Sequence, residues 1–103
     1  MIAMSSPPIE LEAYRRTPVF DESSIPAGLH RRQTTKPGVW ARIHVLEGRL
    51  LFRLLEPSTS ESYLTPERPG EVAPEVPHEV AVCGPVRFYV EFLRLTDPAS
   101  PRG

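Results

Sequence analysis

Apolar and polar residues alternate along several short stretches of this chain, and this pattern predicts β-strands. The alternation is clearest in Val39–Leu46 and in Val86–Leu95, while Ile9–Tyr14 is predicted as an edge strand and Tyr63–Leu64 as a short strand. Successive side chains of a strand point to opposite faces, so each long stretch presents one face to a core. The predicted core residues are Ile43, Val45, Val80, Val82, Phe88, Val90 and Phe92.

Turn residues separate these stretches. Pro37-Gly38 has the residue types that the central positions of a type II turn favour. Glu47-Gly48 predicts a hairpin between Val39–Leu46 and Arg49–Leu55, and Gly84-Pro85 predicts another hairpin further on. The 13 prolines argue against long helices, and no stretch has helical periodicity. These signals together predict an all-β sandwich or small barrel.

Length and composition indicate one small domain. With 103 residues, the chain is expected to form a domain over residues 9–95, flanked by flexible tails at residues 1–8 and 96–103. The net charge of -1 excludes an electrostatic case for nucleic acid or an anionic membrane. We expect no membrane span and no signal peptide. A lone cysteine, Cys83, fits a reducing compartment, so the predicted location is the cytoplasm.

The segment Pro74–His78 carries the candidate chemistry. Its two prolines disfavour a helix and predict a stiff bend that leads into a strand beginning at His78. On that strand His78 shares a face with Val80 and Val82, so its imidazole points toward the interior beside the carboxylate of Glu75. Such a pair is a candidate for a metal site or for acid–base chemistry. The alternative is a turn histidine accompanied by a solvated glutamate.

Four segments in order resemble the TehB/YeaR-like cupin family, small bacterial domains first grouped with tellurite resistance. The segments are Thr17–Phe20, Thr35–Trp40 with Val45–Gly48, Pro74–His78 and Gly84–Phe92. The resemblance extends from about Thr17 to Arg94. It implies a single cupin-type jelly-roll barrel with a pocket suited to a metal, in a cytoplasmic protein. Some relatives carry this domain ahead of a methyltransferase, whereas we expect this chain to be a standalone domain.

The resemblance also implies a set of pocket residues. The family's usual pocket histidine precedes the Thr-Lys-Pro-Gly segment, and that position is Gln33 here, while the later motif retains Glu75 and His78. The expected metal site is therefore His78 and Glu75 with Gln33, holding a divalent transition metal such as zinc, nickel, iron or manganese. An amide oxygen is a poorer ligand than imidazole for most of these metals.

Two further residues are placed at the pocket by strand phase. If Leu29–Gln33 is extended, Arg31 shares the face of Gln33, and His30 lies on the opposite face unless a bulge re-aims it. Arg31 is interpreted either as a contact for an anionic ligand or as a solvated arginine near the pocket mouth.

Two classes of function follow. The first is a small metal-binding or ligand-binding cupin in stress or tellurite response. The second is a metal-free module that binds a small organic molecule or dimerises. We expect a homodimer, formed through a sheet face or through Ile9–Tyr14. An enzyme is a third class, but the sequence indicates no reaction and no catalytic residue, since it contains no nucleophile triad or phosphate-binding loop.

Overall fold

The protein, described by a computed structural model over residues 10–31 and 33–96, consists of antiparallel β-strands. The side chains of residues 10, 30 and 96 are not described. The strands are β1 (Glu10–Arg16), β2 (Phe20–Asp21), β3 (Val39–Leu54), β4 (Ser60–Leu64), β5 (Gly70–Val72) and β6 (His78–Thr96). A short 3-10 turn spans Ala27–His30. The all-β prediction is confirmed, while the predicted tails lie almost wholly outside the described residues.

Two long strands, β3 and β6, form the centre of the sheet and pair along nearly their whole length. The predicted hairpins at Glu47-Gly48 and at Gly84-Pro85 are therefore wrong, because each dipeptide lies inside a continuous strand. A two-residue hairpin of the usual I′ type needs positive φ at both central residues. Of the Glu47-Gly48 pair only Gly48 has positive φ, at 78°.

Both dipeptides instead lie close to each other in the paired strands β3 and β6, and the two strands bend there together. The pairing register shifts on either side of Gly48, which lies opposite Val86. A Cβ added to Gly48 would lie 2.1 Å from the carbonyl oxygen of Pro85, so the two backbones approach too closely for any side chain there. Gly84 has φ 113° and supplies the left-handed residue on β6. Such bulges bend a strand and increase its twist.

The bend divides the sheet into two halves. In the first half, Val39–Gly48 of β3 pairs with Val86–Arg94 of β6, with β5 on one side and with β1 and β2 on the other. In the second half, Leu50–Leu54 pairs with His78–Val82 and with β4. The strand order β1-β6-β3-β4 ends at strands that do not pair with each other. The sheet is therefore open, so the small barrel expected from the sequence does not close.

The two halves share one hydrophobic core. Ile43, Val45, Phe88 and Val90 of the first half belong to the same buried cluster as Leu50, Phe52 and Val80 of the second. The predicted inward phase of β3 and β6 is thus confirmed, although Val82 and Phe92 are only half-buried. Phe88 is fully buried and its ring centroid lies 5.7 Å from that of Phe20.

Candidate functional site

A cavity of about 460 Å³ opens beside this core, between β1, β2, the 3-10 turn and both halves of β6. Most of its wall is apolar. The apolar residues include Phe20, Leu29, Ile43, Val80, Phe88 and Val90. The polar residues that line it include His78, Gln33, Thr34 and Thr35. This mixture of an apolar wall and a few polar groups is typical of small-molecule sites.

His78 is the buried polar residue of the cavity, with 7% of its surface exposed. Its Nδ1 lies 3.0 Å from the carbonyl oxygen of Val76. A carbonyl oxygen only accepts, so Nδ1 carries a proton and donates it to Val76. In the neutral form of such a ring, Nε2 is the nitrogen with the lone pair. The chain turns at Pro74 and Glu75 before β6 begins at His78, so the bend predicted from the prolines is confirmed.

Nε2 of His78 has no hydrogen-bond partner among the described residues. His78 lines the cavity, so its ring is in position to contact a molecule bound there. The strand phase of His78, read from the sequence, is confirmed.

Gln33 lies directly beside His78. The two residues exchange backbone hydrogen bonds of 2.9 Å in both directions, from each N–H to the other's carbonyl oxygen. Directly opposed residues of an antiparallel pair place their side chains on the same face. Both side chains line the cavity, so the structure brings these two predicted site residues together.

Glu75 does not join them. It is exposed, and it is not among the described residues that line the cavity. Its φ of 66° places it in a left-handed turn, where its backbone N–H donates to Oγ1 of Thr35 over 3.0 Å. Thr35 in turn donates to the carbonyl oxygen of Val39 over 2.7 Å. The backbone of Glu75 thus fixes the loop beside the cavity, while its carboxylate is directed elsewhere.

The remaining predicted pocket residues are displaced by the 3-10 turn. Their predicted phase rested on the condition that Leu29–Gln33 is extended, and this condition fails at Leu29 and His30, because Ala27–His30 forms this turn. Arg31 follows it, is exposed and does not line the cavity. The prediction for His30 lies outside the described side chains. Leu29 contributes to the cavity wall instead.

Sequence reasoning missed two cationic residues of the cavity. Arg15 on β1 and Lys36 in the turn before β3 are exposed and line its edge. The Pro37-Gly38 signal located the turn, whose Val39 N–H donates to the Lys36 carbonyl oxygen over 3.0 Å, but did not indicate that Lys36 borders a cavity. The alternation of β1 does not indicate Arg15, because the register between β1 and β6 shifts between Ala13 and Arg15.

The described residues of the cavity offer few donor atoms for the metal that the resemblance implies. Within the described residues no group of three or more His, Cys, Asp or Glu side chains could hold a metal ion. His78 offers Nε2 and Gln33 offers an amide oxygen, whereas a zinc site typically has three or four strong protein ligands. These residues do not fit a metal centre by themselves, and the metal site stays a prediction.

The opposite face of the sheet carries another histidine, His44, which does not line the cavity. His44 is stacked on Tyr89 with ring centroids 4.8 Å apart, and its Nε2 lies 2.9 Å from a carboxylate oxygen of Glu91. Trp40 is half-buried on this face, and Cys83 is exposed next to the bend. In the described part of the chain, no helix is long and apolar enough to cross a membrane.

The structure defines a small antiparallel β domain with a mostly apolar cavity beside its core. The chain belongs to the TehB-like domain family, whose pattern it matches over residues 15–90. This confirms the TehB-like part of the family expected from the sequence motifs, while its cupin part stays a prediction. No curated protein matches the chain.

Solved structures agree with this assignment. The crystal structure of TehB from Haemophilus influenzae is similar with a TM-score of 0.75 and 29% identity, over 82% of this chain and 32% of that one. The chain thus spans about a third of TehB. A protein from E. coli strain K12 is similar with a TM-score of 0.77 and 20% identity, over 91% of this chain and 100% of that one. At this identity the second similarity shows the fold alone.

Proposed function

We propose that this TehB-like domain is a binding module that holds a small, largely apolar organic molecule in its cavity. The observation that carries the proposal is His78 beside Gln33 on a mostly apolar cavity wall, with no described hydrogen-bond partner for Nε2 of His78. The cavity volume of about 460 Å³ is that of a small-molecule site, since such sites range over roughly 300–1,000 Å³. Binding here needs no metal and no catalytic group.

The two polar side chains set the orientation of the ligand. The contact with Val76 fixes the neutral tautomer of His78, so Nε2 accepts a hydrogen bond from a ligand O–H or N–H. The amide of Gln33, held alongside by the backbone pairing, both donates and accepts. A ligand that satisfies both groups gains specificity, because either group left unpaired in the filled cavity costs about 1–3 kcal/mol.

The finer expectations from the resemblance are part of this proposal. The two sheet halves bent around a common core support an open form of the cupin-type jelly roll. The resemblance of the sequence motifs to the family first grouped with tellurite resistance supports a role in stress or tellurite response and a cytoplasmic location. A divalent metal bound by His78 is the competing occupant, favoured by the free Nε2 alone.

A neutral fluorescent probe tests the binding function. We expect N-phenyl-1-naphthylamine, which brightens in apolar surroundings, to bind saturably with one site per chain. Ala41→Leu places a larger side chain in the cavity wall and should weaken probe binding at least tenfold. Ala81→Leu is the matched control, because Ala81 lies on the other face of β6 and does not line the cavity. Thermal melting verifies that both variants are folded.

Two outcomes would overturn the proposal. One is the absence of saturable binding by the parent protein. The other is an Ala41→Leu variant that is folded and binds the probe as tightly as the Ala81→Leu control, since the probe would then occupy a different surface.

A further inference from the structure

We infer, building on the proposed binding function, that the cavity selects ligands with an anionic group, a carboxylate attached to an apolar body, which Arg15 and Lys36 contact at the cavity edge. Both cations line the cavity and both are exposed, so they meet a ligand group that remains near solvent. The apolar wall described above receives the remainder of the molecule.

A β-bulge places Arg15 on the cavity side. Along β1, Ala13 pairs with Leu93, but Arg15 pairs with Phe92, so Tyr14 is an extra residue in the register. In a regular ladder Tyr14 would lie opposite Phe92 and Arg15 opposite Glu91, on the other face. Opposed residues share a face, and Phe92 lines the cavity, so the bulge turns Arg15 toward it. Bulges commonly re-aim a side chain in this way next to functional sites.

The guanidinium of Arg15 keeps donors available in this position. Its Cζ lies 5.2 Å from the centroid of the Phe92 ring, a cation–π contact. Such a contact occupies the flat face of the guanidinium, while the N–H donors at its edge stay free for a carboxylate. The Phe92 ring thus holds the side chain in place without neutralising its charge.

Lys36 lies at the same end of the sheet. It begins the turn into Val39, which pairs with Arg94 on β6, two residues from the partner of Arg15. Thr35, immediately before it, is hydrogen-bonded to Val39 and to the backbone of Glu75. These two hydrogen bonds hold the backbone next to Lys36 in place at the cavity edge.

No carboxylate among the described residues of the cavity repels an anionic ligand group. Of the described residues that line the cavity, none is an aspartate or a glutamate. Neither Arg15 nor Lys36 forms an ion pair with another described residue. Two cations without an ion-pair partner among the described residues, and no carboxylate among the described residues of the cavity, favour a negatively charged ligand group over a neutral or positive one.

A matched pair of competitors tests this inference. In a displacement assay with N-phenyl-1-naphthylamine, 4-phenylbutyrate should bind about tenfold tighter than 4-phenylbutanamide, its uncharged counterpart. The double variant Arg15→Gln/Lys36→Gln should reduce the ratio to near one by weakening the acid alone. The control variant Arg49→Gln/Arg68→Gln removes two exposed arginines that do not line the cavity, and should keep the parent ratio. Arg49 is a suitable match, because it also stacks on an aromatic ring, that of Tyr63.

The outcomes separate this inference from the proposed function. If the probe binds but the acid and amide compete equally, or neither competes, anion selection is overturned and the binding module stands. A preference for the acid that survives in the Arg15→Gln/Lys36→Gln variant overturns the assignment of these residues. If the probe itself fails to bind, the proposed function falls and the inference falls with it.

Discussion

Gln33 and His78 form a closed pair of backbone hydrogen bonds, each of 2.9 Å, although Gln33 lies outside the six strands. This isolated bridge attaches the segment after the 3-10 turn to the first residue of β6. It also sets the two side chains next to each other on the cavity wall. In such hydrogen-bonded pairs the Cα atoms are about 5.5 Å apart, close enough for the side chains to contact one ligand.

This pairing predicts that Gln33→His creates a metal site. Two imidazoles side by side offer two strong ligands, whereas the parent offers one imidazole and an amide. We expect calorimetric titration with Zn²⁺ and Ni²⁺ to show binding by Gln33→His at least tenfold tighter than by the parent, and little binding of Mn²⁺. Adding His78→Ala to Gln33→His should remove the gain.

A parent protein that already binds Zn²⁺ as tightly as Gln33→His would contradict this expectation. It would favour the metal site implied by the family resemblance. His78→Ala in the parent would then determine whether the site includes His78.

Phe88 is predicted to be the most sensitive aromatic residue of the core. Its side chain is fully buried and packs against Phe20. Phe88→Ala should lower the free energy of unfolding by about 3–5 kcal/mol, measured by urea denaturation. Tyr63→Ala is the surface control, since Tyr63 is 45% exposed, and should cost less than about 1 kcal/mol. Similar losses for both would place Phe88 outside the core.

The bend between the sheet halves predicts different effects at two glycines with the same φ of 78°. Gly38→Ala adds a Cβ into open space, so it should cost only the backbone strain, about 1–2 kcal/mol. Gly48→Ala places its Cβ 2.1 Å from the Pro85 oxygen and should cost clearly more. Urea denaturation of both variants measures the difference. Equal losses would show that β3 and β6 do not approach closely at the bend.

Thr35 is predicted to stabilise the loop beside the cavity. Its hydroxyl donates to Val39 and accepts from the Glu75 N–H, so Thr35→Val removes two hydrogen bonds at once. The expected loss in the free energy of unfolding is about 1–3 kcal/mol. Thr34→Val serves as the comparison, because Thr34 is exposed on the same loop. A Thr35→Val protein as stable as Thr34→Val would contradict the assigned role.

The expected homodimer stays a prediction with a defined surface. β1 ends the strand order β1-β6-β3-β4, so its outer edge carries no partner strand in the described part of the chain. Exposed strand edges readily pair with another chain. Light scattering should give twice the monomer mass at micromolar concentration, and Tyr14→Pro should shift it toward the monomer. A monomer mass for the parent would overturn the prediction.

Part of the candidate site could be predicted from local pattern. The alternation that begins at His78 correctly placed its imidazole with Val80 on the core side. Pro37-Gly38 correctly located the turn before β3. These features depend on strand phase and on preferences of φ, which are properties of a few neighbouring residues. Glu75 is different, because its left-handed φ and its contact with Thr35 depend on a loop 40 residues away in sequence.

The sequence by itself determined the all-β class, the phase of the core strands and the family, since each is encoded in short motifs and in alternation. Only the tertiary structure decided that Gly48 and Gly84 bend two paired strands instead of closing hairpins. A glycine permits positive φ equally in a turn and in a bulge, and the choice depends on the strand lying opposite. The same holds for Arg15, because the bulge at Tyr14 exists only in the register between β1 and β6.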